Sequence, residues 1–589
     1  MTEIPEGRGP VHPSKTEAGR LLCAGVYLDT AYRDRVIDEL YVHEERFTAP
    51  SYGFDAARVL AHALRARRAA VAWAAAVVAV WALGLLLLQG FFVFLLVPAL
   101  LTSGAGRIKR RRDRTGRGSR VIEYVLRGYA AWMLGRILWG MVLGLWEDNP
   151  TEGIRLRLSG LGELFSYFGQ MIMNRPLDVF LDWPRVGQYY GTSYSWVALL
   201  VLVLVIVVAG LQQGHFARVL HSSLDRAGYA GAAGDLVVTG RRFGRARARI
   251  QRIQHAPLVM YDVGNPFCGA GQAHLPWQLA VELRPRGGGE AEELDNAQIV
   301  DRIRPRLEAL RIPSPHGSED AEASVLDRLR ELVIDECVFL PADGLPDVGS
   351  LDLSAEAFAE HRASAIEEGG ERRRHFLRVR VGGWDENLVI TVFIRVHTQG
   401  GMLMLEVAPH VLLPVRPDFQ RVDDIAQRQL RNTVFAKVAW AVANGPGSLA
   451  PALVTLVGAL RIPWRMATAG HGVALPAGPA VSVRELAAQG DASLFQLMDL
   501  DRYLKTIQDR IVGGVTLALH EAGWHTEEFA ERAVNVAEGA VFIQSVRDSA
   551  FGIGGVSHNS ATRHGSSAPD DDKSKRTSTG TGKRRSGGN

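Results

Sequence analysis

Cysteine is scarce in this chain: three among 589 residues, Cys23, Cys268 and Cys337. No Cys-x-x-Cys pair occurs, so these residues form neither a zinc ribbon nor a dithiol redox centre. An odd, sparse set suits a reducing compartment better than a disulfide-stapled fold. Lysine is nearly absent as well, with 7 of the 67 basic residues, against 60 arginines. Net charge is only +4. The arginines cluster beside apolar segments and do not alternate with stacking aromatics, so no nucleic-acid partner is expected. No complete catalytic motif is found, no cofactor is implied, and no cleavable leader is expected, because the first apolar run begins after residue 68.

That run dominates what is present. Residues Ala69 to Leu101 carry no charge, and Gln89 is their only strongly polar side chain. As one helix the run would be about 50 Å long, against about 30 Å of hydrocarbon. Arg65, Arg67 and Arg68 precede it, and Arg107, Lys109, Arg110, Arg111, Arg112 and Arg114 follow it. Cytoplasmic loops carry such excesses. The reading is therefore a hairpin over 69–101, turning at Gln89-Gly90, with a single tilted span as the alternative. Residues 129–146 form a second apolar segment interrupted by Arg136. It reads as an outward span or an interfacial helix, with Arg136 a candidate for a polar pathway. Residues 147–195 then form an exterior loop, and Trp196 to Leu211 is the clearest single span.

Composition divides the chain accordingly. Residues 1–15 are expected to be a disordered N-terminus, 16–68 a cytoplasmic helical segment, and 69–214 the membrane domain. Residues 215–553 are expected to form a cytoplasmic α+β domain, and 554–589 a disordered tail. The fold class is thus α+β and membrane-anchored: a hairpin plus two spans, followed by a large soluble domain. Its best β signal is Phe376 to Pro414, where β-branched and alternating runs separated by GGWDEN and TQGG predict an antiparallel meander. Leu258 to Pro285 predicts a strand, a tight glycine loop and a second strand. Asp295 to Leu310 predicts a helix containing Pro305, and Val422 to Asn444 another. Val481 to Glu538 predicts helix with breaks near Gly490 and Gly513-Gly514. Leu449 to Leu460 is apolar but short for a span, and lying on the membrane surface is its alternative.

Several constellations invite chemistry. The loop at 258–274 holds Gly264, Gly269 and Gly271, but has neither P-loop nor GxGxxG spacing, so a structural turn is favoured over phosphate binding. Cys268 with nearby His274 lacks an evident base or oxyanion site. His520 and His525 stand five apart, so their rings diverge by about 140° on a helix, and Gly523 points to a helix end there. Asp385 and Glu386 sit on a predicted turn. Arg241, Arg242, Arg245, Arg247, Arg249 and Arg252 form a basic element that reads as lipid-facing, against a merely solvated face.

The phrases YDVGNPFCGAG and EAGWHTEEFAERAVNV resemble uncharacterised actinobacterial multi-pass membrane proteins. The resemblance implies a membrane setting and no assigned activity. The sequence reading is therefore a membrane-anchored, cytoplasmic-facing interaction or regulatory protein of the cell membrane. Its partners would be membrane lipids and a protein. The alternatives are a membrane-bound hydrolase using the 258–274 loop and a transporter or secretion-system component.

Overall fold

The computed structural model describes residues 13–88, 92–110, 117–144, 192–231, 240–286, 291–311, 332–367, 370–384, 387–468, 474–488 and 492–538. The expected exterior loop, the terminal tail and Asp385-Glu386 lie outside the described residues, apart from the last few residues of that loop.

The N-terminal segment is helical. Thr16 caps α1 (Glu17–Leu28) by accepting from the Gly19 N–H, and Asp29 caps α2 (Thr30–Ile37). The break expected at Pro50–Gly53 is present, and α3 (Ala56–Leu88) then runs without interruption from this segment into the apolar run. It ends beside Gln89-Gly90, and α4 (Phe92–Arg110) begins on the other side. Next come α5 (Arg117–Gly144), which contains Arg136, α6 (Thr192–Ser223) and α7 (Arg226–Gly231).

Three of the described helices are long and apolar enough to cross a membrane: Ala56–Leu87, Leu199–Ser223 and Pro446–Thr468. The first contains the first arm of the expected hairpin and the second overlaps the expected 196–211 span, whereas the expected 129–146 span, in α5, is not among the three. The third contains the 449–460 stretch whose length the sequence understates, because Arg461, Pro463 and Arg465 dilute its apolar character. Leu96–Gly106 in α4 is apolar but shorter, as expected of the second hairpin arm.

The rest of the chain follows α8 (Arg241–Ile253). Strands β1 (Leu258–Tyr261), β2 (Gln272–Ala273) and β3 (Trp277–Glu282) precede α9 (Asn296–Glu308), β4 (Leu332–Pro341) and α10 (Ala355–Glu367). The predicted meander is β5 (Arg374–Gly383), β6 (Leu388–Gln399) and β7 (Met402–Leu412). The sheet order is β1-β4-β5-β6-β7-β2, with β3 also on β7. Among the described strands of the sheet, β1 and β4 pair in parallel and the other pairings are antiparallel.

After the sheet come α11 (Pro417–Gln420), α12 (Val422–Arg431), α13 (Val434–Asn444), α14 (Leu449–Thr468), α15 (Val483–Leu486), α16 (Leu494–Glu521) and α17 (Glu527–Glu538). The helix expected over 422–444 is two helices, because Thr433 starts a new one by capping the Ala436 N–H. The break expected at Gly513-Gly514 does not occur. These glycines instead let α16 approach α9: a Cβ on Gly514 would lie 2.8 Å from the Ile303 Cα.

Both sheet faces are covered. Leu377, Val379, Ile390, Val392, Leu403 and Leu405 meet Ile303, Leu500, Ile507 and Ile511 from α9 and α16. Each fully buried aliphatic side chain there contributes about 1.5–3 kcal/mol. The opposite face carries Cys337, Phe339, Phe376, Val389, Phe393 and Leu412 beneath the glycine loop. A third core joins α1 and α2 to the start of α3, the end of α6, α8 and residues 415–426 and 483–487. The N-terminal segment therefore completes the body that the later chain builds. Arg20, buried, reaches Asp423 at 2.8 Å and the Leu224 carbonyl at 2.8 Å.

Candidate functional site

The glycine loop is built from short-range turns. The Asp262 side chain accepts from the Gly264 N–H, and the Asp262 carbonyl accepts from Asn265. Phe267 inserts among Phe339, Phe376, Phe393 and His410, with ring centroids 4.5 to 5.7 Å away. Anchored so, the loop turns back through Gly269 (φ +101°) and Gly271 (φ +95°). Both of their N–H groups donate to one carboxylate oxygen of Glu485, at 2.8 and 3.0 Å. Such a concavity of N–H groups binds anions, and here the anion is a side chain of the same protein. A cavity of about 270 Å³ opens beside it, lined by Asn265, Gln272, Leu413, Glu485 and Ala488 among others.

Cys268 lies in this loop, buried, with its Sγ 3.9 Å from the second Glu485 oxygen. Burial and then the Glu485 charge push its thiol well above the ordinary range. A nucleophile needs the opposite shift. His274 donates its backbone N–H to Pro409 on the sheet edge. His520 belongs to α16, whereas His525 follows Gly523, which adopts φ +81° just past the helix end. The expected helix terminus is there, and among the described residues no group of His, Cys, Asp and Glu could hold a metal ion.

The six arginines of α8 part company. Phe243, Ala246, Ile250 and Ile253 form the buried stripe. Arg249 is turned inward, donating to the Glu44 and Leu40 carbonyls at 2.7 and 2.9 Å. Arg242 pairs with Glu44 at 2.8 Å and lies over the Tyr41 ring. Arg252 reaches the Val348 carbonyl, at 3.4 Å. Arg247 is partly buried, while Arg241 and Arg245, one turn apart, are exposed. Arg249→Gln is accordingly expected to destabilise the full-length protein by about 2 kcal/mol, since two carbonyls lose a charged donor. Arg245→Gln should stay within about 0.5 kcal/mol. Urea midpoints of the detergent-solubilised chain check both, and equal midpoints would refute the division.

Sequence reasoning missed a surface at the start of α16. Ser493 caps this helix in a reciprocal capping box with Gln496. In its first turns the inward positions are polar, Gln496 and Asp499, whereas Leu494, Phe495 and Met498 are 71%, 69% and 59% exposed. Leu497 and Trp384 are exposed as well, and the Trp384 indole N–H donates to Asp499 at 3.2 Å. Trp384 is held at φ +57°, an unusual conformation for a bulky residue. The available signal was inverted amphipathicity: Leu-Phe-x-Leu-Met precedes the stripe Leu500, Tyr503, Ile507 without sharing its face.

This surface lies within a recognisable region. Residues 276–550 match the family model of the AbeC-like domain. The AbeC-like domain is uncharacterised and carries no assigned function, which is as far as the resemblance to an uncharacterised family is supported. No curated protein and no solved structure matches the chain. The AbeC-like domain runs from β3 through the rest of the sheet to α17. It contains the exposed surface on α16 and the apolar helices α13 and α14, while the glycine loop precedes it.

Proposed function

We propose that this is a membrane-anchored interaction or regulatory protein whose AbeC-like domain receives a protein partner on the Trp384, Leu494, Phe495, Leu497 and Met498 surface. That apolar surface is the observation that carries the reading. Large exposed aromatic and aliphatic side chains beside one another mark contact sites, and aromatic anchors dominate binding energy where such surfaces are used. The membrane setting is supported by the apolar helices and by arginines at the ends that join the common core: Arg65, Arg67 and Arg68 on α3, Arg218 on α6, and Arg461 and Arg465 on α14. By the positive-inside bias we read that core, the N-terminus and the later chain, 215–589, apart from the apolar helices α13 and α14, as cytoplasmic at the cell membrane. Arg241 and Arg245 are read as the part of α8 that faces anionic headgroups.

The test is affinity capture from native membranes with the tagged full-length chain and with a Leu494→Ser, Phe495→Ser, Met498→Ser variant. These positions are exposed, so the variant is expected to fold. Its capture of the wild-type protein's partner should fall about tenfold or more, equivalent to 1.4 kcal/mol per decade. Undiminished capture would remove the reading.

A further inference from the structure

The AbeC-like domain contains a helical pair whose ends and whose turn lie in different surroundings. Before it, Val422 and Ala426 of α12 belong to the core shared with α1 and α2. After it, Ile462 and Met466 of α14 pack on that same core, and Arg465 pairs with Asp38 at 2.6 Å. The segment therefore leaves one body and returns to it. α14 has the length to cross a bilayer, but the two ends of the α13–α14 pair are tied to one side through this connection.

The turn, Gly445-Pro446-Gly447-Ser448, lies far from that body. The Ser103 hydroxyl of α4 donates to the Gly447 carbonyl at 2.7 Å. A Cβ on Gly447 would lie 2.7 Å from the Thr102 Oγ1, and one on Gly445 3.3 Å from the Ile206 Cα of α6. Leu449 and Ala452 pack with Val77 and Trp81 of α3. Those α3 positions stand 9 and 13 residues beyond Arg68, so about 13–20 Å along the helix. Half of the hydrocarbon thickness is about 15 Å. At that depth irregular backbone is tolerated only when enclosed by protein. Gly445, Pro446 and Gly447 are all buried, Pro446 has no N–H to satisfy, and Ser448 donates to the Gly445 carbonyl.

The outer face is largely apolar, with Lys437, Asn444 and Arg461 among its exposed polar side chains. Phe435 is 82% exposed and Val457 68%, and Leu460 and Trp464 are similarly open. It is continuous with the two apolar helices it packs on, since Ala441 meets Gly210 of α6. We propose that residues 434–468 form a re-entrant hairpin covered by lipid acyl chains, so that the AbeC-like domain dips to the middle of the bilayer and returns to the side it left. This rests on the membrane reading of α3 and α6. It adds that a family-matching segment, and not only the N-terminal anchor, is lipid-immersed.

Spin labelling of the full-length chain in phosphatidylcholine–phosphatidylglycerol vesicles tests it. Cys23, Cys268 and Cys337 are buried, so labels go to introduced sites. Phe435→Cys and Val457→Cys should collide several-fold more with oxygen, relative to a nickel chelate, than Thr468→Cys does. Arg431→Cys and Thr468→Cys should react with an impermeant maleimide from the same side of sealed vesicles. Reaction from opposite sides would mean that α14 crosses, and overturns the proposal. So does free access of the nickel chelate to positions 435 and 457 while a Leu86→Cys label on α3 remains shielded. If Leu86→Cys is open to nickel as well, the membrane reading itself fails.

Discussion

Gly271→Ala is expected to cost about 2–5 kcal/mol, among the largest single-site losses in the molecule. Two effects add. At φ +95° an L side chain pays about 1–2 kcal/mol. Its Cβ would also stand 2.2 Å from the Val411 carbonyl oxygen, backbone that is fixed by β6–β7 pairing and cannot rotate away. Relieving such overpacking costs about 1–3 kcal/mol more. Gly269→Val should behave similarly, because φ is +101° and the Cβ would meet the Pro50 carbonyl oxygen at 2.8 Å. Gly244→Ala is the opposite case. Nothing lies within 4 Å of its Cβ, and it sits exposed inside α8. There alanine should stabilise by about 0.5–1 kcal/mol. Urea midpoints of the three variants should fall, fall and rise. An unchanged midpoint for Gly271→Ala would contradict the loop geometry.

Glu336→Gln should remove much of the protein's acid sensitivity and about 3 kcal/mol of its stability at neutral pH. Glu336 on β4 accepts from Arg304 of α9, Arg362 of α10 and, at 2.7 Å, the His375 Nε2 of β5. It pins two helices to the sheet. Partial burial alone would raise the carboxyl pKa, but the His375 and Arg362 hydrogen bonds and charges outweigh it and hold the value at about 2. A depressed carboxyl stabilises the fold above its unfolded value, near 4.5, and that contribution is lost as pH falls toward 2. The span of about 2.5 pH units corresponds to about 3 kcal/mol. Stability of the wild type should therefore fall steeply between about pH 4.5 and 2, and the variant's curve should be flatter there. Parallel curves would show that other carboxylates govern acid unfolding.

The meander was legible because β6 and β7 alternate or run apolar between turns that contain glycine, and the strand–loop–strand at 258–285 for the same reason. α3 and α6 were legible because a long uncharged run admits few alternatives. What stayed hidden depends on partners distant in sequence. Glu485 gives no local sign that it fills the nest of Gly269 and Gly271, more than 200 residues earlier. Arg249 looks like Arg245 in sequence, yet only Arg249 has the Leu40 and Glu44 carbonyls within reach. Gly513-Gly514 reads as a breaker because propensity counts the lost side chain, whereas tertiary packing uses its absence to seat Ile303. The α16 surface was missed because Leu, Phe and Met at a helix start read as core unless the helical phase is followed turn by turn.

The ion pair between Arg20 and Asp423 spans 403 residues of chain. Around it, a core that begins at Leu21 is completed only by residues 483–487. Proteins are synthesised at about 5–20 residues per second, so α1 and α2 exist for about 20–90 s before the last of their permanent neighbours emerge from the ribosome. During that interval the apolar sides of both helices that α3 and α8 leave uncovered are open to chaperones and proteases. Truncated chains that stop before residue 483 keep them open indefinitely. Premature termination before residue 483 therefore leaves α1 and α2 incompletely covered, and quality control can detect a fault in the later chain by inspecting its first helices.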